Sequence, residues 1–409
     1  MARDIRTLRL GLEDLLADEH RSVPFEVPAG TESLEVCLSY DRSAAVIDLG
    51  CEGPRGWRGW SGSRRERFVI RADGATPGYV PGALEPGAWS VQVGLRRLPL
   101  NPVPVTVTIS MPAESTIESE PPAAVRGGAQ RVSARRLPAP SGLTWFAGDM
   151  HAHTTHSDGT VPVDQLAARA VENGLDFLAV TDHNTVSHHP HLAAAGARHD
   201  VALLPGQELT TPRGHANAYG DIGFVDFRRP ADQWVQEVAA RGGLLSINHP
   251  LDRDMCWQHP LTELPPALEL WHITWFADLT STAPWALWAR WRQDAVLLGG
   301  SDFHRPEQGF PPGTPTTWVA AEERSPEALL AAVAAGRTAI TKSADVRAPA
   351  LLRLEDGLVA IDAEGAVLCD LEGRRRVITG PCATVPLSRA GRGPFRLQEP
   401  TGEVLAISR

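Results

Sequence analysis

The chain has 409 residues, with 39 Lys and Arg against 49 Asp and Glu and a formal net charge of −10. That length exceeds one ordinary domain and predicts two or three. No apolar run approaches the ~20 residues that span a bilayer. The opening Met1–Arg6 leads into a charged segment and not into a signal-peptide core. An acidic balance without a basic block disfavours nucleic acid. The expectation is a cytoplasmic protein acting on a small molecule, with no membrane and no nucleic-acid partner. Five cysteines, Cys37, Cys51, Cys256, Cys369 and Cys382, are scattered and odd in number, so no disulfide framework is expected.

Residues 1–112 predict an N-terminal antiparallel β-sandwich-like domain. Leu34, Val36, Leu38 and Tyr40 alternate with polar or small neighbours, as do Trp89, Val91, Val93 and Leu95, and Val103 through Met111. A period of two broken by Gly/Pro turns is the mark of a sheet with one solvated face. Residues 113–142 lack periodicity and read as a linker.

From residue 143 to 342 apolar strands alternate with helical stretches. Val163–Asn173 predicts a helix that Gly174 stops with positive φ. Strands are expected at 175–180, 201–204, 243–247, 267–271 and 295–300. A last helix starts at Ser325 and Pro326 and ends at Gly336. Such alternation implies a parallel sheet with crossover helices. The number of units favours a closed barrel, with polar residues at the C-terminal strand ends. Residues 343–409 predict a small C-terminal β subdomain.

Of 14 histidines, 13 lie between His151 and His304. His151 and His153 are two apart, so in an extended chain both imidazoles face one side. Imidazole is the commonest ligand of borderline metals. The strand ends also offer Asp158, His183, Glu208, His215, His249, Asp302 and His304. Carboxylates buried together without cations would cost several kcal/mol apiece. A metal centre built from these nine side chains removes that cost.

The series HxH, SDG, TDHN, GxE with a following GH, NHP and SDFH resembles the PHP (polymerase and histidinol phosphatase) superfamily over residues 146–342. Gly87–Val91, Gly336–Thr341 and the C-terminal tail resemble its carbaryl-hydrolase-like branch (CehA/McbA-type metallohydrolases). The resemblance implies an α/β fold, a distorted (β/α)7 barrel, holding two or three divalent ions, Zn, Mn or Fe. By that resemblance His151, His153, Glu208 and Asp302 hold the first ion. Glu208, His215 and His249 hold the second, and Asp158, His183 and His304 the third.

Such ions lower the pKa of a shared water, polarise the centre attacked and stabilise the leaving oxygen. The expected reaction is hydrolysis of a small organic phosphate ester, with Glu208 and Asp302 counted as catalytic. A carboxylic ester, carbamate or amide hydrolase for an aromatic substrate is the alternative, and a binding protein with structural metals a third reading. Asp182 is a candidate to orient an imidazole. Among His188, His189 and His191, His189 is the candidate proton donor. Among Arg253, Arg305 and Arg337, Arg337 is the candidate phosphate clamp. Trp285, Trp288 and Trp291 share a helix face, and Trp257 or Trp275 could wall an aromatic substrate.

Overall fold

The structure is a computed structural model that describes residues 2–118, 120–124, 129–272, 274–275, 278 and 280–409. Parts of the expected linker, 119 and 125–128, lie outside the described residues. The chain divides into two compact units.

The first unit takes residues up to Pro121 with Thr154–Pro162 and Asp182–Pro190. It has two four-stranded antiparallel sheets. One orders the strands Ala2–Leu10, Val103–Met111, Ser33–Tyr40 and Arg67–Arg71. The other orders His20–Val27, Gly87–Arg97, Val46–Gly53 and Gly56–Trp60. The alternating Leu34, Val36, Leu38, Val91, Val93 and Val107 fill a single core with Phe68 and Trp89. The two later segments are tied to these sheets by polar contacts. Thr185 Oγ1 donates to the Gly78 carbonyl (2.8 Å), Trp57 Nε1 to the Asn184 carbonyl (3.1 Å) and Arg65 to the Thr155 carbonyl (2.7 Å).

The second unit takes Pro122–His153, Val163–Thr181 and His191–Arg409. Its largest sheet has thirteen strands. In spatial order it begins Val296–Gly300, Ala267–His272, Leu244–Ile247, Gly214–Tyr219, Ala202–Thr211, Phe177–Val180 and Thr144–Asp149. It continues Thr316–Ala321, Thr338–Thr341, Val404–Ser408, Phe395–Gln398, Val367–Cys369 and Arg375–Val377. The first strand also curls back onto the eighth and ninth. Gly299 N donates to Thr317 Oγ1 (2.9 Å), Thr317 Oγ1 to the Gly299 carbonyl (2.8 Å) and Thr338 Oγ1 to the Leu297 carbonyl (3.0 Å). Threonine side chains make this seam in place of a backbone ladder.

The expected all-parallel sheet is corrected here. Ala202–Thr211 runs seven residues past the predicted end at 204 and turns back as Gly214–Tyr219, antiparallel to both its neighbours. Thr316–Ala321 is antiparallel to Thr144–Asp149. A buried apolar run reads alike whichever way its neighbours point, so strand direction is not in the pattern. Residues 350–408 add four strands to the same sheet and form a separate three-stranded sheet, Ala350–Arg353, Gly357–Ile361 and Cys382–Pro386.

Helices cover the parallel strands. Val163–Glu172 buries Val163, Leu166, Ala167 and Ala170, spacings that place one stripe inward. Gly174 follows it with φ 72°, as expected. Pro326–Ala334 is capped by Ser325, whose Oγ accepts from Ala328 N (3.2 Å), and buries Leu329, Ala332 and Val333. The tryptophan helix is shorter than expected: Ala283–Trp288 contains Trp285 and Trp288, and Trp291 lies beyond it.

Candidate metal centre

Seven of the nine expected ligands belong to the second unit, and Asp158 and His183 to the first. In the second unit Glu208 lies mid-strand and fully buried. Its partner strand pairs Thr210 with His215 and Glu208 with Asn217, so Glu208 and His215 are diagonal neighbours on one face. Glu208 Oε1 lies 3.2 Å from His151 Nε2, 3.3 Å from His215 Nδ1 and 3.4 Å from His249 Nε2. Its Oε2 lies 3.5 Å from His153 Nε2. Asp302 Oδ1 is 2.9 Å from His153 Nε2 and 3.2 Å from His151 Nε2. His304 stacks on His153 with centroids 4.1 Å apart, and its Nδ1 donates to the Asp302 carbonyl (2.8 Å).

Strand ends aim His151, His249 and Asp302. Asp149, the last residue of its strand, accepts from His151 N (3.1 Å), Ser301 N (3.0 Å) and Gly313 N (2.7 Å). It thereby fixes the start of both the His151 and the Asp302 segments. His249 and Asp302 both have left-handed backbones, φ 28° and 48°. Non-glycine residues hold such angles only where surrounding contacts enforce them, and they concentrate at functional sites.

The electrostatics demand positive charge. Burial alone would lower the His151 imidazole; Asp302, Glu208 and Glu269 outweigh it and hold it well above its ordinary range. Burial likewise opposes, and Glu208, Asp302 and Glu269 overcome, the rise at His249. Burial would raise Asp302, yet His151 and His304, with hydrogen bonds from His153 and His272, keep it well below the usual carboxylate range. A divalent cation fits a cluster that otherwise has to hold protons. His151, His153 and Asp302 offer ligand atoms within 4.8 Å of one another.

In the first unit Asp158 Oδ1 and His183 Nε2 are 3.3 Å apart. Asp182 accepts from Thr154 N (2.8 Å), Thr154 Oγ1 (2.7 Å) and Ser157 Oγ (2.6 Å), and lies 3.3 Å from His188 Nδ1. It holds the turn at Thr154–Ser157 and lies beside the His188 imidazole. His189 packs edge-on against His188 (4.7 Å).

Arg337 is placed away from this chemistry. It precedes the strand Thr338–Thr341 and ion-pairs with Glu322 (3.0 Å). Its groove is shared with Pro140, Trp145, Arg353 and Glu355, and contains none of the nine residues. In register it lies level with Ala320 and Trp145. That is four residues, about 13 Å, before Asp149 along the strand direction. The phosphate-clamp role expected of Arg337 is therefore dropped. Arg253 lines the cavity beside His249 and His272.

Two residues of the centre were missed. Glu269 Oε1 is 3.0 Å from His151 Nδ1, and Oε2 accepts from His249 N (2.7 Å). A carboxylate only accepts when ionised, so His151 carries a proton on Nδ1 and turns Nε2 to the cluster. His272 Nε2 lies 3.3 Å from Asp302 Oδ2. Its atoms are close enough to group with the ligands. His272 Nδ1 accepts the Thr274 N–H (3.2 Å), which leaves Nε2 turned toward Asp302. The signal available in the sequence was the pair of polar residues, Glu269 and His272, in an otherwise apolar strand.

A cavity of about 510 Å³ adjoins His249, Glu269 and His272. Trp275 lines it; Trp257 packs instead against Trp234 (6.3 Å) and His259 (5.0 Å).

Residues 149–250 match the family model of the PHP domain. The chain is 42% identical over 65 residues to the 5'-3' exoribonuclease Rnm of Salmonella typhimurium LT2, covering 15% of this chain and 22% of that protein. It is 40% identical over 70 residues to the Escherichia coli K12 protein of the same name, with the same coverage. The chain thus spans about a fifth of the length of these relatives. Among solved structures, a two-domain Bacteroides vulgatus protein containing a predicted PHP-like metal-dependent phosphoesterase is 18% identical. It covers 70% of this chain and 92% of its own, with a TM-score of 0.41. The relatives' names correct the expectation that nucleic acid is no partner. A net charge of −10 averages the whole surface and does not describe any one part of it. The PHP resemblance read from the motifs is met by the family model over residues 149–250.

Proposed function

We propose that the chain is a metal-dependent hydrolase of phosphate esters. The carrying observation is Glu208, a buried carboxylate with one oxygen 3.2–3.4 Å from three imidazoles on separate strand ends or strands. His151, His153, Glu208, His215, His249 and Asp302 would hold divalent ions. The finer assignment adds Asp158, His183 and His304 for a third ion. Zn, Mn and Fe suit imidazole and carboxylate donors. When bound, such ions supply Lewis acidity and a water of low pKa.

The chain's own residues do the rest. Glu208 sets the spacing of three imidazoles. Glu269 fixes the His151 tautomer, and His272 stands 3.3 Å from Asp302, so both ligands are backed by a neighbouring side chain. His189 is retained as the candidate proton donor, to be checked by the loss of kcat in His189→Ala.

The substrate is a small organic phosphate or the 5' end of an RNA; the exoribonuclease relatives favour testing both. The test is a panel of aryl phosphates, sugar phosphates and short 5'-phosphorylated oligoribonucleotides. Hydrolysis that chelator abolishes and Mn or Zn restores is expected. No turnover on any member by fully metal-loaded protein would defeat the reading.

A carboxylic ester, carbamate or amide hydrolase is the second reading, in keeping with the carbaryl-hydrolase-like branch. The apolar lining of the adjoining cavity favours it. Faster hydrolysis of 1-naphthyl acetate or carbamate than of 1-naphthyl phosphate would decide for it.

A further inference from the structure

We propose that the cavity beside His249 and His272 is the subsite for the organic part of the substrate, and that it takes one uncharged, flat aromatic group. The proposal rests on the hydrolase reading of the adjoining cluster. Its volume of about 510 Å³ lies in the range of small-ligand sites. One end is made by His249, Glu269 and His272, so a group bound there is next to the reacting centre. The walls are Leu251, Leu270, Trp275, Pro284 and Leu287.

Trp275 is a prepared surface. It is 8% exposed and held edge-on by Trp271 (5.4 Å, 61°) and Trp285 (5.4 Å, 64°). Its buried Nε1–H has no acceptor among the described residues. A rigid indole presents stacking area with little entropy to lose on binding.

Charge excludes the competing occupant. Among the described lining residues beyond the cluster, Asp252 and Asp278 stand against Arg253. Two carboxylates oppose a second phosphate in the cavity, whereas Arg253 can accompany the one phosphate being cleaved. An RNA substrate would place one terminal base here and run its remaining backbone elsewhere.

The test compares kcat/KM for 1-naphthyl phosphate with that for glycerol 2-phosphate in wild type, Trp275→Ala and Leu287→Trp. The first variant removes the stacking wall and the second fills the cavity. Each should lower the naphthyl-to-glycerol ratio about tenfold, through KM. Ratios within about twofold of wild type in both variants would overturn the proposal. Separately, titration calorimetry with 1-naphthol reads the cavity without turnover. About tenfold weaker binding by Trp275→Ala is expected, and equal binding, or none by wild type, would overturn the subsite. If wild type hydrolyses no phosphate ester, the phosphoesterase reading fails and the naphthol titration alone decides the cavity.

Discussion

Gly300 decides whether Glu269 can reach His151. A Cβ there would meet Glu269 Oε1 at 2.2 Å and His151 Cβ at 2.5 Å. Gly300→Ala should therefore push the carboxylate off the imidazole, and Glu269→Gln should loosen the same contact without added bulk. Each is expected to weaken metal binding about 10–100-fold in a competitive chelator titration. Wild-type affinity in both variants would show that Glu269 has no part in the centre. Most of this chemistry was legible because short motifs carry it: His151 with His153, Asp302 with His304, and His249 before Pro250. Glu269 and His272 announce nothing by spacing. They become informative only once folding sets them against residues 118 and 30 positions away, His151 and Asp302.

At the scale of elements, helices were the easiest to read. The Pro326–Ala334 helix has its cap, its proline and its terminating glycine in sequence, and a buried face at Leu329, Ala332 and Val333. Leu329 is fully buried among Phe177, Leu298 and Val319. Leu329→Ala should cost about 2–5 kcal/mol in urea unfolding, and a loss under about 0.5 kcal/mol would contradict this packing. The hairpin that carries Glu208 and His215 was not legible, because its turn at Pro212–Arg213 interrupts one continuous apolar and polar mixture. Near that hairpin His259 lies 2.7 Å from Thr211 Oγ1, packed against Trp234 (5.0 Å) and Trp257 (5.0 Å). Burial, then Arg213 and His215, lower it from 6.5 to about 4. The folded state thus binds fewer protons than the unfolded one between these values. The stability this contributes is full above about 6.5 and lost as pH falls toward about 4. Urea unfolding at neutral pH and at mildly acidic pH should show wild type losing more than His259→Gln, by no more than ~2 kcal/mol given the part of the ring in water. Equal losses would contradict a half-buried His259 held neutral by its surroundings.

For the molecule as a whole, the periodicities separated a β-rich beginning from an α/β remainder, and that contrast is present in the two four-stranded sheets and the thirteen-stranded sheet. Strand order and direction were not readable. They depend on which distant edges pair, as when Val404–Ser408 joins Thr338–Thr341. Nor did the sequence show that Thr154–Pro162 and Asp182–Pro190 group with the first unit, since the polar contacts that tie them there are all long-range. Composition could not decide partners, because average charge does not describe a buried site. The central claim is that the Glu208 cluster exists to hold divalent cations. Elemental analysis of purified wild type beside Glu208→Gln, with folding checked by circular dichroism, tests it most directly. The account predicts about two or more equivalents of Zn, Mn or Fe per wild-type chain and a small fraction of that in a folded Glu208→Gln. A wild-type chain that stays metal-free after incubation with each of these ions, or a variant that keeps the full complement, would contradict it.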